Sequence, residues 1–162
     1  MEVRYAHEVD LPTILDIFNR EIVDGVNAFD TERIEGAAQQ AWFDRHRDPR
    51  FPLLVAEEKG VVTGWASLSP WARHGAYART AELSVFIHTQ HRGRGIGRSL
   101  LHRLISEARA RGHHVLVARV EASNQTSRRL HLSRGFSEVG VMREVGWKHG
   151  RYLDTVIFQL SL

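Results

Sequence analysis

The chain has 162 residues, enough for one domain with a full core and too few for two ordinary ones. Apolar residues make up 43% and charged residues 25%, a balance that fits a globular protein and excludes a low-complexity or disordered chain. There is no cysteine, which excludes disulfides, thiolate zinc sites and a cysteine nucleophile; the formal charge is +3, and of 22 basic residues only Lys59 and Lys148 are lysine.

Val3 to Ala6 reads as a first strand. Asp10 is placed to cap a helix whose apolar stripe is Leu11, Ile14, Leu15, Phe18 and Ile22, with Pro12 in its first turn and Gly25 at its end. A second helix is expected over Thr31 to His46. The period then changes: Phe51 to Glu57 and Val61 to Leu68 are strand-like runs around "EKG", a hairpin signature in which Gly60 can take positive φ. After the loop "SPWARHGAYART" comes the strongest strand, "AELSVFIHT", with Leu83, Val85 and Ile87 on one face and Glu82, Ser84 and Phe86 on the other. A glycine-rich loop follows, then a helix with the stripe Leu100, Leu101, Leu104, Ile105 and Ala108, ended by Gly112. The pair His113 and His114 reads as a surface turn. "HVLVARVEA" has the continuous apolar character of a parallel strand, Asn124 opens a last helix that ends at Gly135, and strands Ser137 to Val145 and Tyr152 to Leu160 close the chain. Without repeats or linkers, residues 1–162 are expected to form one α/β domain with a mixed sheet and a right-handed crossover at its centre. No apolar run approaches a membrane span and "MEVRYAHEVD" lacks a signal-peptide core, so the cytoplasm is the expected location.

The most specific segment is "HRGRGIGRSLL", His91 to Leu101. A strand that runs through Gly-x-Gly-x-Gly into a helix leaves several main-chain N–H groups pointing into one concavity at the positive end of the helix dipole, an arrangement that binds an anion. Arg92, Arg94 and Arg98 stand on its rim and suit phosphate, because the guanidinium fork donates two hydrogen bonds at once. A high-GC genome also raises arginine content, so position rather than count carries this reading. The spacing does not match the dinucleotide fingerprint G-x-G-x-x-G, and no Gly-Lys-Ser/Thr follows, which argues against a P-loop and ATP hydrolysis. A tight turn with no ligand is the plainer reading, but three glycines carry an entropic cost that an idle turn has no need of.

"R-G-R-G-I-G", Arg92 to Gly97, resembles the acetyl-CoA pyrophosphate loop of the GCN5-related N-acetyltransferases. Within that superfamily "TAELSVFIHTQHRGRGIG", "EASNQTSRRLHLSRGF" and "VGWKHGRYLDTVIFQL" are similar to the phosphinothricin and methionine sulfoximine N-acetyltransferase group. The resemblance covers nearly the whole chain. It implies an α/β fold of about six to seven strands and about four helices, with two central parallel strands splayed around acetyl-CoA as cosubstrate. It further implies that main-chain groups of Val85, Phe86 and Ile87 pair with the pantetheine arm. Arg92, Gly93, Arg94, Gly95, Ile96, Gly97 and Arg98 would cradle the pyrophosphate, and Asn124, Ser127 and Arg128, in the pattern E-x-x-N-x-x-S from Glu121, would contact the cofactor arm. Asn124 also reads simply as a helix cap.

Acetyl transfer to an amine needs a neutral nucleophile, although an alkyl ammonium has a pKa of roughly 10, and a thiol leaving group of pKa about 8.5 makes a strong general acid optional. The candidate base is Glu82, where the family carries a glutamate; a solvated carboxylate at a strand end is the plain alternative. An N–H near Phe86 would meet the oxyanion. His131 stands where many relatives place a tyrosine that protonates the leaving thiolate, and equally reads as a packed histidine. By analogy Phe29 in "NAFDTERI", and Arg73, Tyr77 and Arg79 in the loop before "AELSVFIHT", border the acceptor pocket, the arginines clasping an amino acid's carboxylate. Trp147 and Tyr152 line it or simply pack. Family members often carry arginine directly after the aromatic at Trp71; here Ala72 stands there, which weakens the case for phosphinothricin itself.

The expected activity is therefore acetyl-CoA-dependent N-acetylation of a small amino acid or analogue, with a polyamine, antibiotic or peptide N-terminus as the alternative acceptor. A homodimer is implied by the family. No metal is expected, since the ten histidines are scattered without ligand spacing. Two other readings compete. A nucleic-acid-binding domain draws only on the arginine content, because 19 acidic residues are interspersed and no aromatic-interleaved basic strand occurs. A CoA-binding sensor without chemistry keeps the loop and discards the role of Glu82.

Overall fold

The computed structural model describes residues 1–162. Seven strands form one sheet in the order β1-β2-β3-β4-β5-β7-β6. They are β1 (Glu2–Tyr5), β2 (Leu53–Glu58), β3 (Val61–Pro70), β4 (Thr80–Ile87), β5 (Val115–Glu121), β6 (Ser137–Lys148) and β7 (Arg151–Ser161). The helices are α1 (Leu11–Asp24), α2 (Ala37–Asp44), α3 (Ile96–Ala110) and α4 (Gln125–Leu132). All neighbouring strands pair antiparallel except β4 and β5, which α3 joins by a crossover.

The apolar stripes decide which face each helix covers. On one face Leu100, Leu101 and Leu104 of α3, all fully buried, pack against Leu54, Leu68, Leu116 and Phe158 of the sheet. On the other, Ile14, Leu15, Phe18 and Ile22 of α1 meet Val55 and Trp65. Each such side chain contributes about 1.5–3 kcal/mol when fully buried. The alternation expected along β4 holds: Leu83, Val85 and Ile87 belong with the α3 side, while Phe86 joins Phe18 and Trp65 in an aromatic cluster with centroids 5.0 and 4.9 Å away.

Three local expectations are corrected. The second helix starts at Ala37 rather than Thr31. Buried Asn19 of α1 grips Ile34 at both ends, accepting from its N–H at 2.8 Å and donating to its carbonyl at 3.1 Å, which holds that stretch against α1 in an irregular path. Asp10 occupies the N-cap position of α1 but does not cap it; its carboxylate pairs with Arg4 at 2.7 Å and accepts from the His7 N–H at 2.8 Å. His113 is buried, not a surface residue: its Nε2 lies 2.7 Å from the Arg50 carbonyl and its ring packs on Phe51. His114, beside it, is exposed.

Candidate active site

Strands β4 and β5 pair only at Thr80–Val115, Ala81–Leu116 and Glu82–Val117. Beyond Glu82 they part, and β4 runs on to Ile87 bonded only to β3. The hydrogen bond from the His88 N–H to the Thr63 carbonyl at 2.9 Å sets the parity of that antiparallel ladder. Even-numbered residues of β4 face β3, so the N–H and C=O of Phe86 are used on Trp65, and those of Val85 point into the gap, as does the N–H of Ile87. The expectation of three consecutive main-chain partners is corrected accordingly: Phe86 contributes only its ring, to the core. The Ile87 carbonyl accepts from Arg92 Nε at 3.2 Å.

The glycine loop lies at the open end of this gap. Gly93 and Gly95 have φ of +78° and +79°, a left-handed conformation that glycine adopts without strain, and Gly95 stands immediately before α3. Gly97 has an ordinary helical backbone and needs its small size instead, because a Cβ there would lie 3.4 Å from Leu130 Cδ2. No main-chain N–H from residue 93 to residue 98 donates to another protein group, whereas Arg92 N–H bonds Thr89 and Ser99 N–H bonds Gly95. Six consecutive amides at a helix N-terminus are thus free for an anion. Ile96 is buried and anchors the turn. Of the three arginines only Arg98 has no carboxylate partner; Arg92 pairs with Glu21 at 3.0 Å, and Arg94 lies 3.7 Å from Glu58.

Glu82 is the last residue of β4 paired with β5, at the fork itself. Its side chain is only 15% exposed, and Arg119 of β5 clasps both oxygens, Nε at 2.5 Å and Nη2 at 2.7 Å. The pair holds the guanidinium more firmly protonated than usual, and Arg119 also lies 5.8 Å from the Trp71 ring.

Asn124 caps α4, accepting from the Ser127 N–H at 3.0 Å, and donates to Asn27 at 2.7 Å. Glu21, 93% buried, in turn accepts from the Asn27 side chain at 2.7 Å. A continuous chain, Arg92–Glu21–Asn27–Asn124, therefore ties the glycine loop to α1, to the segment after it and to α4. Lys148, also buried, donates to the carbonyls of Ala28 at 2.6 Å and Glu21 at 3.5 Å, and burial depresses its pKa. Arg128 bonds the Ala122 carbonyl and Glu138, both at 3.3 Å, so its side chain fastens α4 to the turn that follows β5 and to β6.

His131 is 97% buried between Phe136 and Phe158. Its Nδ1 lies 2.8 Å from the Ser127 carbonyl, which only accepts, so Nδ1 carries the proton and Nε2 is a buried lone pair without a partner. Burial pushes its pKa below the ordinary value. A neutral ring with its one proton bound to the main chain has none to give a thiolate, which corrects the proton-donor expectation in favour of packing.

The residues expected around the acceptor divide. Phe29 lies over Gly146 so closely that a Cβ there would be 2.6 Å from the ring. Trp147 and Tyr152 form an exposed edge-to-face pair, centroids 4.7 Å apart, and Tyr152 lines an open cavity of about 550 Å³ with Glu121, Ser123, Arg143 and Arg151. Arg73 and Tyr77 are exposed on the loop before β4. Arg79 is not at the pocket: its Nε donates to the Gly112 carbonyl at 3.1 Å, bracing the turn after α3. Sequence reasoning missed Glu21, Asn27, Arg119 and Lys148. Glu21 was discoverable, since helical spacing puts it on the buried stripe with Ile14 and Phe18.

No three His, Asp or Glu side chains converge as a metal site, and no helix is long and apolar enough to cross a membrane. A profile of the Acetyltransferase (GNAT) family matches residues 12–136. The chain is 41% identical to an L-amino acid N-acyltransferase of Escherichia coli, covering all of this chain and 94% of that one. It is 40% identical to an L-methionine sulfoximine/L-methionine sulfone acetyltransferase of Salmonella typhimurium, covering all of this chain and 95% of the relative. Among solved structures, a ribosomal-protein-alanine N-acetyltransferase from Brucella melitensis superposes with a TM-score of 0.97 at 40% identity over the whole of both chains. A phosphinothricin acetyltransferase from Sinorhizobium meliloti in complex with AcCoA gives 0.95 at 31% identity over 99% of this chain and 88% of that one. With a turn of unbonded main-chain amides at the mouth of two splayed parallel strands and matches along its whole length, the chain belongs to the GNAT acetyltransferase family.

Proposed function

We propose that the protein transfers the acetyl group of acetyl-CoA to the α-amine of a small amino acid of the methionine sulfoximine or methionine sulfone type. The observation that carries this reading is the row of free amides from Gly93 to Arg98, continuous with the open edge of β4 at Val85 and Ile87. The amides and Arg98 hold the diphosphate, and Arg94 adds charge at the rim. The extended pantetheine arm adds a strand-like partner along β4, which aims the thioester at the fork. Asn124 and Ser127 border the arm from α4.

Glu82 takes the proton of the acceptor ammonium, directly or through one water. The neutral nitrogen attacks the thioester carbon, forming the C–N bond. The developing oxyanion meets a main-chain N–H of β4 that faces the gap. The C–S bond then breaks as the nitrogen releases its second proton to solvent, and the thiolate, a good leaving group, takes one up from solvent to leave as the thiol. No side-chain acid is required, in keeping with His131 being packed away.

Phe29, Trp147 and Tyr152 wall the acceptor side, and Arg73 and Tyr77 stand at its outer rim. We also assign a homodimer, supported by the edge strand β6 with Val139, Met142, Val145 and Trp147 exposed along it. The reaction belongs in the cytoplasm, where acetyl-CoA is available, and uses neither metal nor nucleic acid. The test is thiol release from acetyl-CoA with L-methionine sulfoximine, L-methionine sulfone, phosphinothricin, polyamines and a peptide N-terminus as acceptors. The amino acids should give the highest kcat/KM; release no faster than the uncatalysed background with every amine would refute the assignment.

A further inference from the structure

Arg119 and Glu82 stand side by side at the fork, on the same face of the sheet, and carry opposite charges. We infer that the pair reads the acceptor as a zwitterion: Arg119 binds the α-carboxylate while Glu82 receives the neighbouring ammonium, so that Arg119 selects free α-amino acids over other amines. This rests on the N-acetyltransferase reading above and adds the residue that chooses its substrate.

The geometry supports the division of labour. Glu82 engages Nε and one N–H of Nη2. A guanidinium has five N–H groups, so both on Nη1 and the second on Nη2 remain without a protein acceptor, along the edge turned away from Glu82. That edge is accessible, because the Arg119 side chain is 57% exposed whereas that of Glu82 is 15% exposed. Two N–H groups in one plane match the two oxygens of a carboxylate. The Trp71 ring, 5.8 Å from the guanidinium carbon, and the clasp on Glu82 restrict that plane, so little rotamer freedom is lost when a carboxylate docks. In an α-amino acid the ammonium and carboxylate share one carbon, and the two protein charges are likewise in contact. Binding both groups places the amine beside Glu82 without breaking the Arg119–Glu82 pair.

The other arginines nearby are less suited. Arg79 is tied to Gly112, Arg143 lies 3.1 Å from Asp154, and Arg73 is exposed on its loop without a hydrogen bond or ion pair to hold it. On β5, alternation puts Arg119 on the same face as Glu121, two residues further along the strand, and Glu121 borders the cavity that Tyr152 also lines.

The experiment compares L-methionine sulfone with its carboxamide, measuring kcat/KM for each by thiol release in the wild type and in Arg119→Gln, Arg119→Lys and Arg73→Gln. One charge-assisted, bidentate contact corresponds to a preference of roughly 10- to 100-fold for the free acid in the wild type. Arg119→Gln should bring that ratio below about 3-fold, by raising KM for the acid while KM for acetyl-CoA stays near the wild-type value. Arg119→Lys should restore part of it, a result that a purely structural role would not produce. A ratio unchanged in Arg119→Gln with an intact melting transition, or one lost in Arg73→Gln instead, would overturn the inference while leaving the acetyltransferase reading in place. Failure of the wild type to acetylate either compound or any other amine would instead overturn the parent reading, and this one with it.

Discussion

Replacing Gly95 by alanine separates the two things the glycine loop does. Gly95 has φ +79° and ψ 1°, and a Cβ built there meets nothing within 4 Å. The substitution therefore carries no clash, only the backbone penalty of a left-handed conformation, about 1–2 kcal/mol for an L-residue. The lower entropy of the unfolded alanine chain offsets roughly 0.4–1 kcal/mol of this. A net loss of about 1 kcal/mol corresponds to a fall in Tm of roughly 2–4 °C for a domain of this size. The effect on CoA should be larger than the effect on stability. If the turn relaxes toward negative φ, the N–H groups of Ile96 and Gly97 rotate away from their common focus, and one lost charge-assisted hydrogen bond, about 1.5–3 kcal/mol, weakens binding about 10- to 150-fold. Thermal melting and calorimetric titration with CoA read the two quantities separately. Gly97→Ala is the control: its backbone is ordinary, its Cβ contact with Leu130 is tolerable at 3.4 Å, and its Tm should stay within about 2 °C of wild type. A Gly95→Ala protein that melts as expected but binds CoA as tightly as wild type would refute the view that these amides form the diphosphate bed.

Glu82→Gln should keep acetyl-CoA binding but lower kcat about 10²- to 10³-fold, and an unchanged kcat would remove the glutamate from proton transfer. Gly146→Ala drives a methyl into the Phe29 ring, so KM for the acceptor should rise several-fold while KM for acetyl-CoA does not move; steady-state kinetics with each substrate varied would show it. Both His131 and His46 have pKa values lowered by burial and are neutral in the fold. The unfolded chain takes up their protons below about 6.5, so stability is complete above that value and falls as pH drops through the unfolded pKa. Denaturant titrations at pH 7.5 and 5.5 should show this loss, and His131→Leu should reduce it; an equal pH dependence in the variant would show that the ring is not held neutral.

The central strand–loop–helix unit was legible because two independent signals coincide there, a two-residue period in "AELSVFIH" and a 3.6-residue stripe from Leu100 to Ala108, joined by a cluster of three glycines that marks a tight turn. The helix placed at Thr31 failed for a long-range reason: Asn19 captures Ile34, 15 positions further along the chain, and no local preference announces that contact. The same applies to the site. The family resemblance singled out Glu82 at the start of the central strand, but its partner Arg119 lies 37 residues away and becomes visible only when β4 and β5 are laid side by side. His131 has the spacing of a cofactor contact and the surroundings of a core residue; spacing alone does not distinguish them. Arg92 stood out by charge beside a proposed phosphate and Arg128 as a contact to the cofactor arm, yet Glu21, Ala122 and Glu138 claim their side chains.

The most direct test follows the backbone amides themselves. In a nitrogen–proton correlation spectrum of the 162-residue chain titrated with CoA, the N–H signals of Gly93, Gly95, Ile96 and Gly97 should shift most and saturate together, with Val85 and Ile87 following. Absence of any shift at millimolar CoA, or binding that leaves those signals in place and moves others, would contradict the account.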